Sequence, residues 1–371
     1  MQTRFAYRNT YPMNIAQSLL RWYDKHHRVL PWRITPGQSA QGIKPDPYKI
    51  WLSEVMLQQT TVEAVKAYFL KFTQAWPTID ALAAADDDDI MRAWAGLGYY
   101  SRARNLKKCA DLVVADYGAQ FPQNAAELKK LPGIGDYTSA AIAAIAFNQP
   151  EPVVDGNVER VVTRLYAITT ALPQAKPQIR ELTEAITPVD RPGDFAQAMM
   201  DLGATICTPK RPACALCPLN DFCLALKDHD PEHFPVKAPK KERPVRLGAA
   251  FVAEADDGSI LLRKRTEKGL LQNMAEGPGS VWNSRMDGST DLSAAPFHAN
   301  WRNAGIITHI FTHFELHLTV YHTTSADKRQ VNDGWWSAAE MLAEEALPTV
   351  MKKAIAAALP DIFKIKGKFR R

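Results

Sequence analysis

LPGIGDYTSAAIAAIAFNQPEPVVDGNV, residues 131–158, carries a two-glycine turn, a small-residue stretch and, after a pair of valines, an aspartate in one run. Gly133 and Gly135 lie one residue apart, so the backbone there can enter φ > 0 conformations closed to other residues. From Tyr137 to Phe147 the chain is mostly Ala and Ile, which favours a helix and lets a neighbouring helix come close. A Gly-x-Gly turn that opens into a helix leaves backbone N–H groups and the positive end of the dipole facing outward, a seat suited to phosphate. Turns of this kind are also common between packed helices. The wider string adds Asp155, twenty residues past Gly135 in VVDGNVERVV. Val153 and Val154 would set its carboxylate at the edge of an apolar wall, where it could stabilise a cationic sugar.

On the N-terminal side, Asn14–Arg28 has apolar residues at helical spacing, and LPWR at 30–33 ends that helix. Residues 34–47 are rich in Pro, Gly, Gln and Ser and read as a loop, after which 49–76 reads as one long helix with Ile50, Leu57, Val65 and Phe69 on its buried stripe. Glu54 falls between Trp51 and Val55 on that helix. A helical glutamate is usually solvated, but burial among these residues would raise its pKa and make it a proton donor near neutrality. Asp86–Asp89 suit a helix start. GLGYYSRARNLKKCADLV, 96–113, joins a second glycine turn to Tyr99, Tyr100 and a basic helix start. That pattern fits either a wedge and clamp on a duplex or a pair of buried tyrosines.

On the C-terminal side, helices are expected over 158–171, 175–187 and 194–206, followed by Cys207, Cys214, Cys217 and Cys223 with gaps of six, two and five residues. Clustered cysteines suggest a metal site over a disulfide framework. Zinc is one candidate, although structural zinc commonly uses two close pairs or cysteine–histidine sets. A compact four-thiolate loop can also wrap a cubic iron–sulfur cluster. Residues 227–246, rich in Pro and Lys, read as a linker. Beyond it the pattern turns β-like: GAAFVAEADDGSILLRKR is strand, Asp-Gly turn, strand, and Ile306–Thr323 alternates in a way that sets Ile310, Thr312, Phe314, Leu316 and Leu318 on one face. His309, His313 and His317 on the other face would lie roughly 13 Å apart along a strand, too far to share an ion.

At 371 residues two domains are expected. The net charge is only +5, but basic residues gather at Lys107–Lys108, Lys129–Lys130, Lys240–Arg246 and Lys364–Arg371, which fits a polyanionic partner better than the total does. No apolar run reaches membrane-span length and no secretory signal is visible, so a cytoplasmic protein is expected.

LPWR, PYKIWLSEVMLQQTTV, GLGYYSRARNL, LPGIGDYTSAAI, VVDGNVERV and the CX6CX2CX5C loop together resemble the A/G-specific adenine DNA glycosylases, the MutY family of the endonuclease III superfamily. The resemblance is dense over 15–223 and weaker beyond. It implies an all-α helix-hairpin-helix glycosylase domain over 1–226, with the hairpin at 131–141 and a [4Fe-4S] loop at 207–223. It also implies a linker over 227–246 and an α+β, Nudix-like lesion-recognition domain over 247–371. Carried onto this sequence, Glu54 is the acid that protonates adenine and Asp155 the carboxylate that stabilises the sugar cation, with Tyr137 and Asn157 beside them. Leu30, Trp32 and Arg33 would line the adenine pocket. Gln59 and Tyr99 would probe the opened base stack, Gly133 and Gly135 would meet the backbone, and Phe311, Thr312 and His313 would stand at the lesion. Relatives with lyase activity carry lysine where this chain has Tyr137, which implies a monofunctional enzyme. The implied partner is double-stranded DNA holding adenine opposite 8-oxoguanine or guanine, bound by a monomer. The sequence departs from the family pattern at Thr312, where serine is usual, in GLLQNMAEGP at 269–278, and in a longer 33–47 loop. A bifunctional glycosylase-lyase and a noncatalytic DNA-binding protein are the alternatives.

Overall fold

The computed structural model describes residues 11–228, 230–238, 242–267, 269–331 and 333–364. Parts of the basic runs at Lys240–Arg246 and Lys364–Arg371 lie outside these residues. The helices run in the order α1 (Tyr11–His26), α2 (Pro36–Ala40), α3 (Pro47–Leu57), α4 (Val62–Ala75), α5 (Ile79–Ala83), α6 (Asp87–Trp94) and α7 (Ser101–Tyr117). They continue with α8 (Ala125–Leu128), α9 (Asp136–Phe147), α10 (Gly156–Leu165), α11 (Lys176–Ile186), α12 (Pro192–Thr205) and α13 (Leu224–Asp228), and α14 (Thr349–Ala358) closes the series. The strands are β1 (Val245–Ala253), β2 (Ile260–Lys264), β3 (Ala275–Glu276), β4 (Arg302–Ile310), β5 (Glu315–Thr323) and β6 (Trp335–Ser337). Among the described residues no helix is long and apolar enough to cross a membrane.

The chain forms two compact units, one of residues 1–84 and 105–240, the other of 85–104 and 241–371. The first is helical. α9 is buried from Thr138 to Ile145, and α3 and α12 both pack on it. The small residues allow this approach: a Cβ on Gly193 of α12 would stand 2.5 Å from the carbonyl oxygen of Ala144.

Several local expectations are corrected. The segment 49–76 is two helices, because Gln59 takes φ +56° and Thr61 caps α4 by accepting from the N–H of Ala64. The 34–47 loop holds α2, which Thr35 and Gln38 secure through a capping box with Pro36 at the first turn. The helix expected to reach 171 stops at Leu165. Gly135 does not need positive φ: it sits at −97° as the N-cap of α9, and only Gly133, at +78°, is left-handed. The presumed linker is also partly structured, since 231–233 is a 3-10 turn, Lys237 bridges to Leu172 and β1 begins at Val245.

In the second unit β1 runs parallel to β5, β5 antiparallel to β4, and β3, β2 and β6 form a second sheet in that order. α14 buries Val350, Met351, Ala354 and Ile355 against the core built from Leu316, Leu318, Val320 and Val252. Ile306–Thr323 is a hairpin and not one alternating strand: the N–H of Phe311 donates to the carbonyl of Phe314, so FTHF is the turn. Phe314, Leu316 and Leu318 are buried as their spacing required, whereas Ile306 and Ile310 on β4 are exposed. Glu276, fully internal, accepts from Arg263 and Arg265.

Candidate active site

Glu54 lies on α3, which buries every residue from Tyr48 to Met56 except Lys49. The side chain is 4 % exposed, and the hydroxyl of Tyr137 on α9 donates to its Oε2 at 2.7 Å. Burial pushes its pKa up to about 7, with the charge of Asp155 adding to the rise; the Tyr137 hydrogen bond and Arg33 oppose it. Tyr137 is itself raised well above the phenol range by burial and by Glu54 and Asp155, so it stays a neutral donor.

Asp155 stands at the N-cap of α10. One carboxylate oxygen accepts from the N–H of Val158 at 2.7 Å, the other from Nδ2 of Asn157 at 2.9 Å. Both donors fix the orientation of the carboxylate at the positive end of the helix dipole. Two carboxyl groups act on the same tyrosine and on each other, one desolvated and one hydrogen-bonded at a helix start.

Leu30 and Trp32 are buried, Trp32 edge-on to Phe69. Arg33 reaches Asp201 of α12 with both carboxylate oxygens within 2.9 Å, and its charge also acts on Glu54. Gln59 is exposed at the α3–α4 break, and Tyr99 is 47 % exposed with φ +48°. Non-glycine residues held at positive φ carry strain that the surroundings must offset, and they gather at functional sites. Within the second unit the hydroxyls of Tyr99 and Thr312 are 3.3 Å apart. Thr312 and His313 are exposed at the hairpin tip while Phe311 stacks on Phe314. The motif around Tyr99 divides between its two readings: Tyr100 is buried, and Arg102 turns inward to the carbonyls of Leu97 and Gly98 under Trp94 and Tyr99.

A Cβ on Gly133 would meet Cβ of Asn105 at 2.8 Å, whereas one on Gly135 would meet nothing within 4 Å. Gly133 is therefore demanded by packing and φ, and Gly135 leaves the α9 N-terminus open, with no side-chain cap.

The four cysteines are free, each partly buried. Burial raises Cys214 and Cys223, pushes Cys217 up to about 12, and the sulfurs oppose one another's ionisation. Four thiols in one loop fit an iron–sulfur cluster, whose iron would offset the cost of ionising them. Arg164 of α10, 1 % exposed, donates to Cys207 Sγ at 3.3 Å and to the carbonyls of Thr208 and Pro209. Arg160, one turn earlier, bonds the carbonyls of Cys207 and Gly203 and Oδ1 of Asn157. Sequence reasoning missed both arginines; their i, i+4 spacing on an apolar helix ahead of the cysteines was the available signal.

A helical hairpin, the carboxyls of Glu54 on α3 and Asp155 at the start of α10, and a four-cysteine loop define a base-excision DNA glycosylase. Residues 52–188 match the family model of the HhH-GPD superfamily base excision DNA repair proteins, 207–223 the iron-sulfur binding domain of endonuclease III, and 249–357 a NUDIX domain. Human adenine DNA glycosylase is 35 % identical over 91 % of this chain and 72 % of its own. The Buchnera aphidicola enzyme of the same name is 34 % identical over 82 % of this chain and 84 % of its own. A thermostable thymine-DNA glycosylase superposes with a TM-score of 0.53 at 29 % identity, covering 60 % of this chain and all of that one. The chain belongs to the adenine DNA glycosylases, base-excision repair enzymes, and carries the ligands of their [4Fe-4S] cluster.

Proposed function

We propose that the chain is a monofunctional glycosylase that hydrolyses the N-glycosidic bond of adenine opposite 8-oxoguanine or guanine, working as a cytoplasmic monomer. The observation that carries the reading is the buried Glu54 held by Tyr137, together with Asp155 fixed at the N-cap of α10. An adenine inside the duplex is out of reach and must be flipped out, at least cost when it is mispaired. Glu54 then gives a proton to N7 of the adenine, turning a poor leaving group into a good one. Asp155, fixed by Val158 and Asn157, faces the developing oxocarbenium ion, and water completes hydrolysis to an abasic site. Leu30, Trp32 and Arg33 line the base pocket. Gln59 and Tyr99 enter the opened stack, Gly133 and Gly135 seat a phosphate, and Lys210 and Arg211, both exposed, lie in the cluster loop for the same purpose. Phe311, Thr312 and His313 meet the lesion in the second unit.

The groups acting on Glu54 are Tyr137, Arg33 and Asp155, none of which offers the amine a Schiff-base lyase requires. Incubation with an A:8-oxoguanine duplex is expected to yield nicked strand only after alkali or heat, and Glu54→Gln to abolish base release while keeping lesion-duplex binding. An adduct trapped by borohydride, or full turnover in the Gln variant, defeats the reading.

A further inference from the structure

Asp201 is the one fully sequestered carboxylate of α12, and nothing in its sequence setting, MMDLG, announces a task for it. Its partners come from 168 and 173 residues away: Nη1 of Arg33 at 2.8 and 2.9 Å, Nε of Arg28 at 2.6 Å, and the backbone N–H of Arg28 at 2.9 Å. Both ends of the Arg28–Arg33 segment are thereby tied to α12, and Leu30 and Trp32 lie between the ties. We infer that Asp201 is a positioning residue, which pins the pocket segment and masks the Arg33 guanidinium so that Glu54 keeps its proton. The inference rests on the reading of Glu54 as proton donor.

The charged surroundings support the masking. Glu54 is faced by Tyr137 from α9, by Asp155 from the start of α10 and by Arg33 from the 30–33 segment. The Arg33–Asp201 pair is faced in turn by Tyr23 of α1, which Asp194 of α12 and Arg191, at that helix's N-cap, also face. Arg191 is already committed to Asp194 and Asp24, so Asp201 is the anion left to balance Arg33. A bare guanidinium at that place would favour the ionised form of Glu54, and the carboxyl would lose its proton at lower pH.

The test is the single-turnover rate of adenine release from an A:8-oxoguanine duplex across pH in the full chain, for the parent, D201N and D201N/R33Q. D201N is expected to move the alkaline fall of the rate by about one pH unit toward acid, read as about a tenfold lower rate at pH above both limbs. In D201N/R33Q the fall should return to the parent's pH even if the maximal rate is lower, because neither charge remains. A purely structural Asp201 would lower rate and melting temperature together without moving the limb, and that result overturns the inference. Should D201N fail to fold, the double variant still decides. The double variant is then compared with R33Q: a limb further to acid in D201N/R33Q than in R33Q shows that the Asp201 charge acts at Glu54 and supports masking, whereas equal limbs, or a double variant that is also unfolded, remove it. E54Q run alongside separates the two claims. Lost turnover there with an unmoved D201N limb sinks the Asp201 role alone, while retained turnover sinks both.

Discussion

Glu54 has been moved by its surroundings into the range where a carboxylic acid can work at neutral pH, and that displacement must also appear in the folding equilibrium. Its folded pKa, about 7, lies above the ordinary value of 4.5, so the native state binds the proton more tightly than the unfolded chain. The resulting stability is fully present below the unfolded value and is lost as pH rises through the folded one, about 3 kcal/mol between roughly pH 4.5 and 7. Glu54→Gln has no proton to lose. Denaturant melts of the two proteins should therefore show the parent losing ground to the variant by that amount between pH 5 and 8, and parallel curves would contradict the assignment. The glutamate was visible in the sequence because a charged residue sat among Trp51, Val55 and Leu57. Asp201 has a similarly apolar setting in MMDLG, but its role could not be read there, because its partners Arg28 and Arg33 arrive from the far end of the unit.

At the scale of elements, α10 and α12 meet where Gly203 faces Asn157. A Cβ there would stand 2.5 Å from Cβ of Asn157 and 3.1 Å from its Cα, atoms that cannot swing aside. Gly203→Ala is expected to cost about 1–3 kcal/mol of stability and to displace Asn157, which orients Asp155. Its base-release rate should fall below that of Gly193→Ala, which meets the backbone of α9 at Ala144, at matched stability and matched DNA binding. Equal rates in the two would detach Asn157 from the chemistry. The hairpin turn and the following helix could be read from glycine spacing and small residues, because turn chemistry is local. The break between α3 and α4 could not: QQTT keeps the amphipathic rhythm, and only the left-handed Gln59 and the Thr61 cap divide the helix. FTHF likewise holds no Gly, Pro, Asn or Asp to signal a turn, so the hairpin is imposed by β4–β5 pairing.

For the whole molecule, the division of the chain is not the division of the sequence. Residues 85–104 lie inside the stretch that resembles the glycosylase core, yet they belong to the compact unit of 241–371. Lys264 pairs with Asp88 at 3.1 Å, Arg104 donates to the carbonyl of Gln272 at 2.7 Å, and Tyr99 meets Thr312. Composition marks boundaries where a chain turns polar and aperiodic, and it has no means of marking a segment whose partners lie 165 residues or more away. These contacts make a specific expectation for a chain cut after residue 240. Surface ion pairs contribute little each, but their joint loss, with that of the Thr312 contact, strips the segment of these long-range contacts while Tyr99 keeps its local one to Arg102, and local openings cost least where tertiary contacts are few. Amide hydrogen exchange should accelerate by more than tenfold through 85–104 in the truncated protein, while 131–165, whose contacts are internal to the other unit, keeps the protection it has in the full chain. Unchanged exchange over 85–104 would mean that the segment is held by its helical neighbours alone and that the unit assignment carries no energetic weight.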